Sequence, residues 1–149
     1  MAIPANAEEL QTYISKFLDR LGFDDIVTTL GLTAHTADGQ SISLRMDLRE
    51  PISQANGMFS AAALFGAADI TGTFLAMAAY TEAGQFPLAV QSNQNFMSNS
   101  KSEYAVATAR ILRGGGSVAV AEVSVADATG KALMHSTFTY VIKERSVGK

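Results

Sequence analysis

The group best placed to do chemistry is a single carboxylate set in an apolar run. From Asn56-Gly57-Met58-Phe59-Ser60 the chain continues through Ala61 to Tyr80 with helical length and almost no polar face, and Asp69 is its only charge. An ionised, unpaired carboxylate in an apolar interior is prohibitively costly, so Asp69 must be hydrogen-bonded, protonated, paired, or beside a wet cavity. Beside a cavity it would be a carboxylate in a ligand pocket; otherwise it is a structural aspartate held by nearby backbone or by a second subunit. Further on, Gln91-Ser92-Asn93-Gln94-Asn95 puts uncharged polar groups on both faces of a strand pattern. That suits contact with a ligand, a subunit or water, or plain exposure at a sheet edge.

Composition narrows the class. A chain of 149 residues, 48% hydrophobic and 17% charged, predicts one globular domain with a sizeable core. A net charge of −3 with no basic run makes nucleic acid a poor partner. With no cysteine there is no disulfide, thiolate metal site or cysteine nucleophile, which fits a reducing cytoplasm. No signal-peptide pattern opens the sequence: Glu8 and Glu9 stand where a basic segment would be. Met58–Tyr80 is long enough to cross a bilayer, but a lone central Asp costs about 2.5–3.5 kcal/mol on insertion. A sheet large enough to cover the helix follows it, so the expectation is a buried core helix and no membrane.

The elements that must position Asp69 follow from periodicity. Asn6 and Glu9 start a helix whose apolar residues Leu10, Ile14, Phe17, Leu18 and Leu21 recur at helical spacing before Gly22. A strand over 30–36 and an Asp38-Gly39 turn lead to a return strand with Ile42, Leu44, Met46 and Leu48 on one face and Ser41, Ser43, Arg45 and Asp47 on the other. Pro51 closes it, and 52–56 is a polar loop. After the long helix come strands over 88–98, 103–113, 117–126 and 131–143, the last three a meander with turns at Gly114-Gly115-Gly116 and Asp127-Ala128-Thr129-Gly130. The tail from Glu144 to Lys149 is expected to fray. A helix without a polar face needs a curved antiparallel sheet around it, so the fold class is α+β: about six strands, a central helix over 58–80 and an N-terminal helix over 7–21.

That order, with these residues, resembles the hotdog superfamily, and within it the phenylacetyl-CoA thioesterase-like branch and the uncharacterised thioesterases related to it. The family pattern is a Gly, two residues, His-Gly-Gly, then an apolar turn ending Leu-Ala-Asp. Here Gly57-Met58-Phe59 leads to Ser60-Ala61-Ala62 and on to Ala67-Ala68-Asp69. Asn95-Phe96-Met97, Leu112-Arg113-Gly114, Asp127–Gly130 and Phe138-Thr139-Tyr140 are similar to its later strands and turns.

The resemblance implies an acyl-CoA or acyl-carrier thioesterase. The Ala61 backbone N–H would bind the developing oxyanion and Asp69 would be general base or nucleophile. Eight residues separate them, about 12 Å of helix rise, so one chain's pair cannot close on one carbon. Family members take the acid from the opposite subunit, which implies a homodimer or a dimer of dimers. Gln54 and Asn56 would orient water or the carbonyl, or be loop and cap residues; Ser60 would cap the helix or place a hydroxyl in the site. Gly57, Ser60, Ala62, Phe65, Asn93 and Asn95 would line the pocket. Lys101 and Arg113, with Lys143 and Arg145, are the cations for the nucleotide of coenzyme A, which enters as part of the substrate; no other cofactor and no metal is implied. The sequence departs where His-Gly-Gly becomes Ser60-Ala61-Ala62, which leaves open a binder of acyl thioesters or lipids without turnover. A dehydratase would want a histidine before the helix, and His35 and His135 lie elsewhere.

Overall fold

The computed structural model describes residues 2–145, 147 and 148. Helix α1 (Ala7–Leu21) begins where Asn6 Oδ1 accepts the Glu9 N–H at 2.9 Å and Glu9 Oε2 accepts the Ala5 N–H at 2.9 Å, a reciprocal cap. It ends at Gly22, whose φ of 72° is the left-handed conformation that glycine adopts freely. Leu10 and Ile14 are fully buried on its inner face. A five-residue helix, α2 (Ile26–Leu30), takes up Leu30, expected to open the first strand; Asp25 caps its start and the Arg49 guanidinium donates to the Thr29 carbonyl near its end. The first strand, β1 (Thr33–Ala37), therefore starts three residues later than expected.

The other strands are β2 (Ser41–Asp47), β3 (Gln85–Phe96), β4 (Tyr104–Arg113), β5 (Val118–Asp127) and β6 (Ala132–Glu144). They form one antiparallel sheet in the order β1-β2-β4-β5-β6-β3. Glu144, expected in a frayed tail, pairs with Gln85, and the Arg145 N–H donates to the Gly84 carbonyl at 2.6 Å; Ser146 and Lys149 lie outside the described residues. On β2 the expected alternation holds for Ile42, Leu44 and Met46, but Ser43 on the opposite face is also buried, with the Thr36 and Thr108 hydroxyls at 3.0 and 2.9 Å.

Across the inner face lies α3 (Ala61–Tyr80), starting three residues later than expected because Phe59 pairs with Ser53 in a short bridge and Ser60 caps the helix. Beneath it the sheet presents Ala105, Ala107, Ala109, Ala119 and Ala121, all buried, so the helix approaches closely. The large side chains Phe138 and Tyr140 fill the side next to β3. Length and composition would let α3 cross a membrane, but its apolar window is 67% buried inside this fold. The two sheet edges differ. Short β1 is partly covered by α1, where Gln11 Oε1 accepts the Ala34 N–H at 2.9 Å. The twelve-residue β3 leaves one whole edge unpaired.

Candidate active site

The start of α3 is built by a tight turn. The Gly57 N–H donates to the Gln54 carbonyl and the Gln54 N–H to the Met58 carbonyl, both at 2.8 Å, and Gly57 takes φ 76°. Gln54 Oε1 accepts the Asn56 N–H, so the Gln54 amide oxygen closes this turn, and Asn56 sits within the turn and does not cap the helix. The cap is Ser60, whose Oγ accepts the Ala63 N–H at 3.1 Å. The Ala61 and Ala62 N–H groups have no acceptor among the described residues, and both residues are exposed. They are the unpaired donors every helix start presents, at the positive end of the helix dipole.

A relay of hydrogen bonds holds this turn in place. Asn99 Nδ2 donates to the Phe59 carbonyl at 3.0 Å, and the Phe59 N–H donates to the Ser100 carbonyl at 3.2 Å. The Ser100 hydroxyl donates in turn to Asp127 Oδ2 at 2.7 Å. Asp127 also accepts from the Thr129 hydroxyl at 2.6 Å and the Thr129 and Lys131 N–H groups at 2.9 and 3.1 Å. The Thr129 and Ser100 hydroxyls lead in holding its carboxyl down at about 2, below the ordinary 3.8. A lowered folded-state value stabilises the fold above the ordinary value, and that stabilisation is lost as pH falls through about 2. We predict that Asp127→Asn melts a few degrees below the parent near pH 7 and that the gap narrows as pH falls from about 4 to 2, read by thermal melts. A gap independent of pH would show that the carboxylate charge is not what these donors recognise.

Asp69 lies on a stripe of α3 left partly open, with Phe65, Gly66 and Thr73. Its carboxylate has no hydrogen-bond partner and no cation within 4.0 Å among the described residues, and burial raises its pKa. Its backbone is fixed from below, where the Tyr140 hydroxyl donates to the Asp69 carbonyl at 3.2 Å. On one side of Asp69 is an apolar cavity of about 220 Å³ walled by Phe17, Ile26, Val27, Phe74 and Leu88; on the other is a more open recess with Phe65, Gln91, Ser92 and Phe138. Within the single chain, Asp69 stands beside a cavity.

The structure gathers Asp69 and Phe65 at this recess and Gln54, Asn56, Gly57, Ser60, Ala61 and Ala62 at the helix start. Lys101 joins the second group, its Cε 3.9 Å from where a Cβ on Gly57 would be. Asn93 and Asn95 are exposed and point away from α3. A bulge at Val90 shifts the register between Ala89↔Tyr140 and Gln91↔Thr139, which turns Ser92 and Gln94 inward opposite buried Phe138 and Ser136. Gln94, whose buried Nε2 lacks a partner, is the inward amide that the sequence reading missed. Arg113 adjoins Gly114, which packs under the Tyr80 hydroxyl at the far end of a 20-residue helix, roughly 30 Å from Ala61 of the same chain. Lys143 and Arg145 end β6 beside the same end of α3. The α2 residues in the cavity wall carried no periodic signal, because five residues are too few to show one.

A six-stranded antiparallel sheet wrapped on one long helix is the hotdog fold, and the family model of the thioesterase superfamily matches residues 56–134. The chain belongs to that superfamily. It is similar to a thioesterase from Haemophilus influenzae at 17% identity and TM-score 0.79, over 93% of this chain and 90% of that one. A mutant thioesterase from Pseudomonas aeruginosa aligns at 16% identity and TM-score 0.80, over 89% and 92% of the two chains. A thioesterase family protein from Silicibacter pomeroyi aligns at 21% identity and TM-score 0.76, over 87% and 97%. At these identities the likeness is one of fold. Among curated proteins none matches the chain significantly.

Proposed function

We propose that the protein hydrolyses an acyl thioester of coenzyme A or an acyl carrier, in the cytoplasm, with Asp69 as general base or nucleophile. The carrying observation is the unpartnered Asp69 carboxylate at the mouth of an apolar cavity, in a chain of the thioesterase superfamily. The apolar cavity suits the acyl group, and the recess with Gln91 and Ser92 offers the polar partners that a pantetheine arm needs. The Ala61 N–H of a second subunit supplies the oxyanion donor. An alanine there keeps the donor that a glycine would give. Release of free thiol from a panel of acyl-CoA esters tests the reading. Saturable binding with no thiol release would favour a non-catalytic binder instead.

The same reading requires a homodimer, and β3 supplies a surface for it. From Leu88 to Ser98 this free edge carries no charge and no proline, and Val90 and Phe96 are exposed on it. Unguarded edges of this kind pair with other strands. We predict a dimer by light scattering, and dissociation to monomer with loss of turnover in Val90→Lys, where like charges approach across the two-fold axis. A parent protein that is monomeric at assay concentration and fully active would contradict a shared site.

A further inference from the structure

The apolar cavity at Asp69 adjoins a second one. Phe17 and Met77 form the wall between it and this cavity of about 460 Å³ and line both. The second is also lined by Arg20, in the last turn of α1, and Arg145, just beyond β6. Neither guanidinium has a carboxylate within 4.0 Å among the described residues. Glu82 is the acid that lines this cavity, while Glu144 accepts from Gln85 Nε2 at 3.4 Å, so two cations face one free carboxylate there.

We propose that the acyl group is a medium-to-long chain and ends in a carboxylate held by Arg20 and Arg145. This rests on the thioesterase reading. Eight residues of α3 separate Asp69 from Met77, about 12 Å of rise, and the arginines line the cavity that Met77 shares. With C–C bonds of about 1.5 Å, each advancing an extended chain by roughly 1.25 Å, a chain of roughly eleven to fourteen carbons covers that distance. A methyl-ended chain of this length would place its tail among charged heads and gain nothing from them. A carboxylate gains charge-assisted bonds from planar donors that match its geometry. A nucleotide phosphate could use the same arginines only if the pantetheine arm lay in the cavity between Ile26, Val27, Phe74 and Leu88, where Asp25, Asp69 and Thr73 are the polar side chains for its amides and the rest of the wall is apolar. Met77, flexible and shared by both cavities, is the side chain that adapts to let a chain pass.

The test uses thioesters of N-acetylcysteamine, which carry no phosphate, with matched chains ending in methyl or carboxylate. In kcat/KM the parent is expected to favour the carboxylate-ended chain by on the order of tenfold, mainly through KM, and the Arg20→Gln/Arg145→Gln double variant to lose that preference. Lys16→Gln removes a charge from α1 outside this cavity and should keep it. Equal or better hydrolysis of methyl-ended chains would overturn the proposal and leave the thioesterase reading standing. So would an arginine effect confined to coenzyme A esters whatever the chain end, which would mark a phosphate. If no thioester is hydrolysed, calorimetry with the free diacid and monoacid decides. Arginine-dependent preference for the diacid would support the groove while the thioesterase reading fails, and no preference would overturn the groove as well.

Discussion

Asp69→Asn is expected to fold, to dimerise, and to release thiol from acyl thioesters 10²–10⁴-fold more slowly than the parent, the usual contribution of a positioned general base. The same substitution is expected to raise the melting temperature near pH 7. Burial raises the Asp69 pKa, so the folded state prefers the neutral acid. Below the ordinary value of 3.8 the carboxyl is protonated whether folded or not, and the substitution changes little. As pH rises through the raised folded value the ionised group becomes a burden on the fold, and neutral asparagine escapes it. Activity has the same origin: kcat/KM should climb with pH along an acid limb displaced above the ordinary carboxylate range, because only the ionised form takes a proton or attacks. Stability gained and rate lost in one variant would identify a strained functional carboxylate. A variant as active as the parent would remove Asp69 from the chemistry.

The second large effect is expected at Gly72. Within a helix alanine is favoured over glycine by about 0.5–1 kcal/mol, so propensity alone predicts that Gly72→Ala stabilises. Packing predicts the reverse. A Cβ there would run into the Tyr140 hydroxyl and come 3.3 Å from Val123 Cγ2, and both neighbours are buried with nowhere to go. Overpacking of a filled core costs about 1–3 kcal/mol, so the net expectation is a loss of about 1–2 kcal/mol in denaturant unfolding. Tyr140→Phe alone should cost about 0.5–1.5 kcal/mol, through the hydrogen bond to the Asp69 carbonyl. The double variant should be more stable than the two losses summed, since removing the hydroxyl relieves most of the clash. Turnover should fall in Gly72→Ala, because a shift of about 1 Å in a catalytic group can reduce rate 10²-fold. Additive losses with unchanged turnover would mean that Tyr140 and Gly72 do not hold Asp69.

What could be read from the residues alone was what depends on long periods and on single unusual groups. The Asn6/Glu9 cap, Gly22 and the apolar spacing between them located α1, and the Ile42-Leu44-Met46 alternation located β2. The lone charge in an apolar run located Asp69. Local events that break a period were hidden. Met58 and Phe59 look helical because they are apolar, but Phe59 is tied back to Ser53 and Ser60 ends the turn. The bulge at Val90 inverts the inside-outside order downstream, so Ala89, paired with buried Tyr140, leads by simple alternation to Asn93 and Asn95 where the chain turns in Ser92 and Gln94. Polar groups on both faces of β3 fitted contact with a ligand, a subunit or water as well as plain edge exposure, and the strand order places β3 at the edge. Arg20 and Arg145 come together only through the fold. An arginine in a last helical turn already has an ordinary explanation in the helix dipole.

The central claim is that each site takes its acid from one subunit and its oxyanion donor from the other. A mixed dimer tests it directly. Ala61 is the first helical residue, where proline is tolerated, and Ser60 before it is extended at φ −70° and ψ 149°, so Ala61→Pro should remove the donor and keep the helix. Homodimers of Ala61→Pro and of Asp69→Asn should each be nearly inactive. Co-expressed and purified as a mixed dimer by two affinity tags, they place both defects in one site and leave the other intact. Thiol release near half that of the parent is the predicted result. A mixed dimer as inactive as either parent variant would show that Ala61 and Asp69 of the same chain are both needed, and would contradict the shared site.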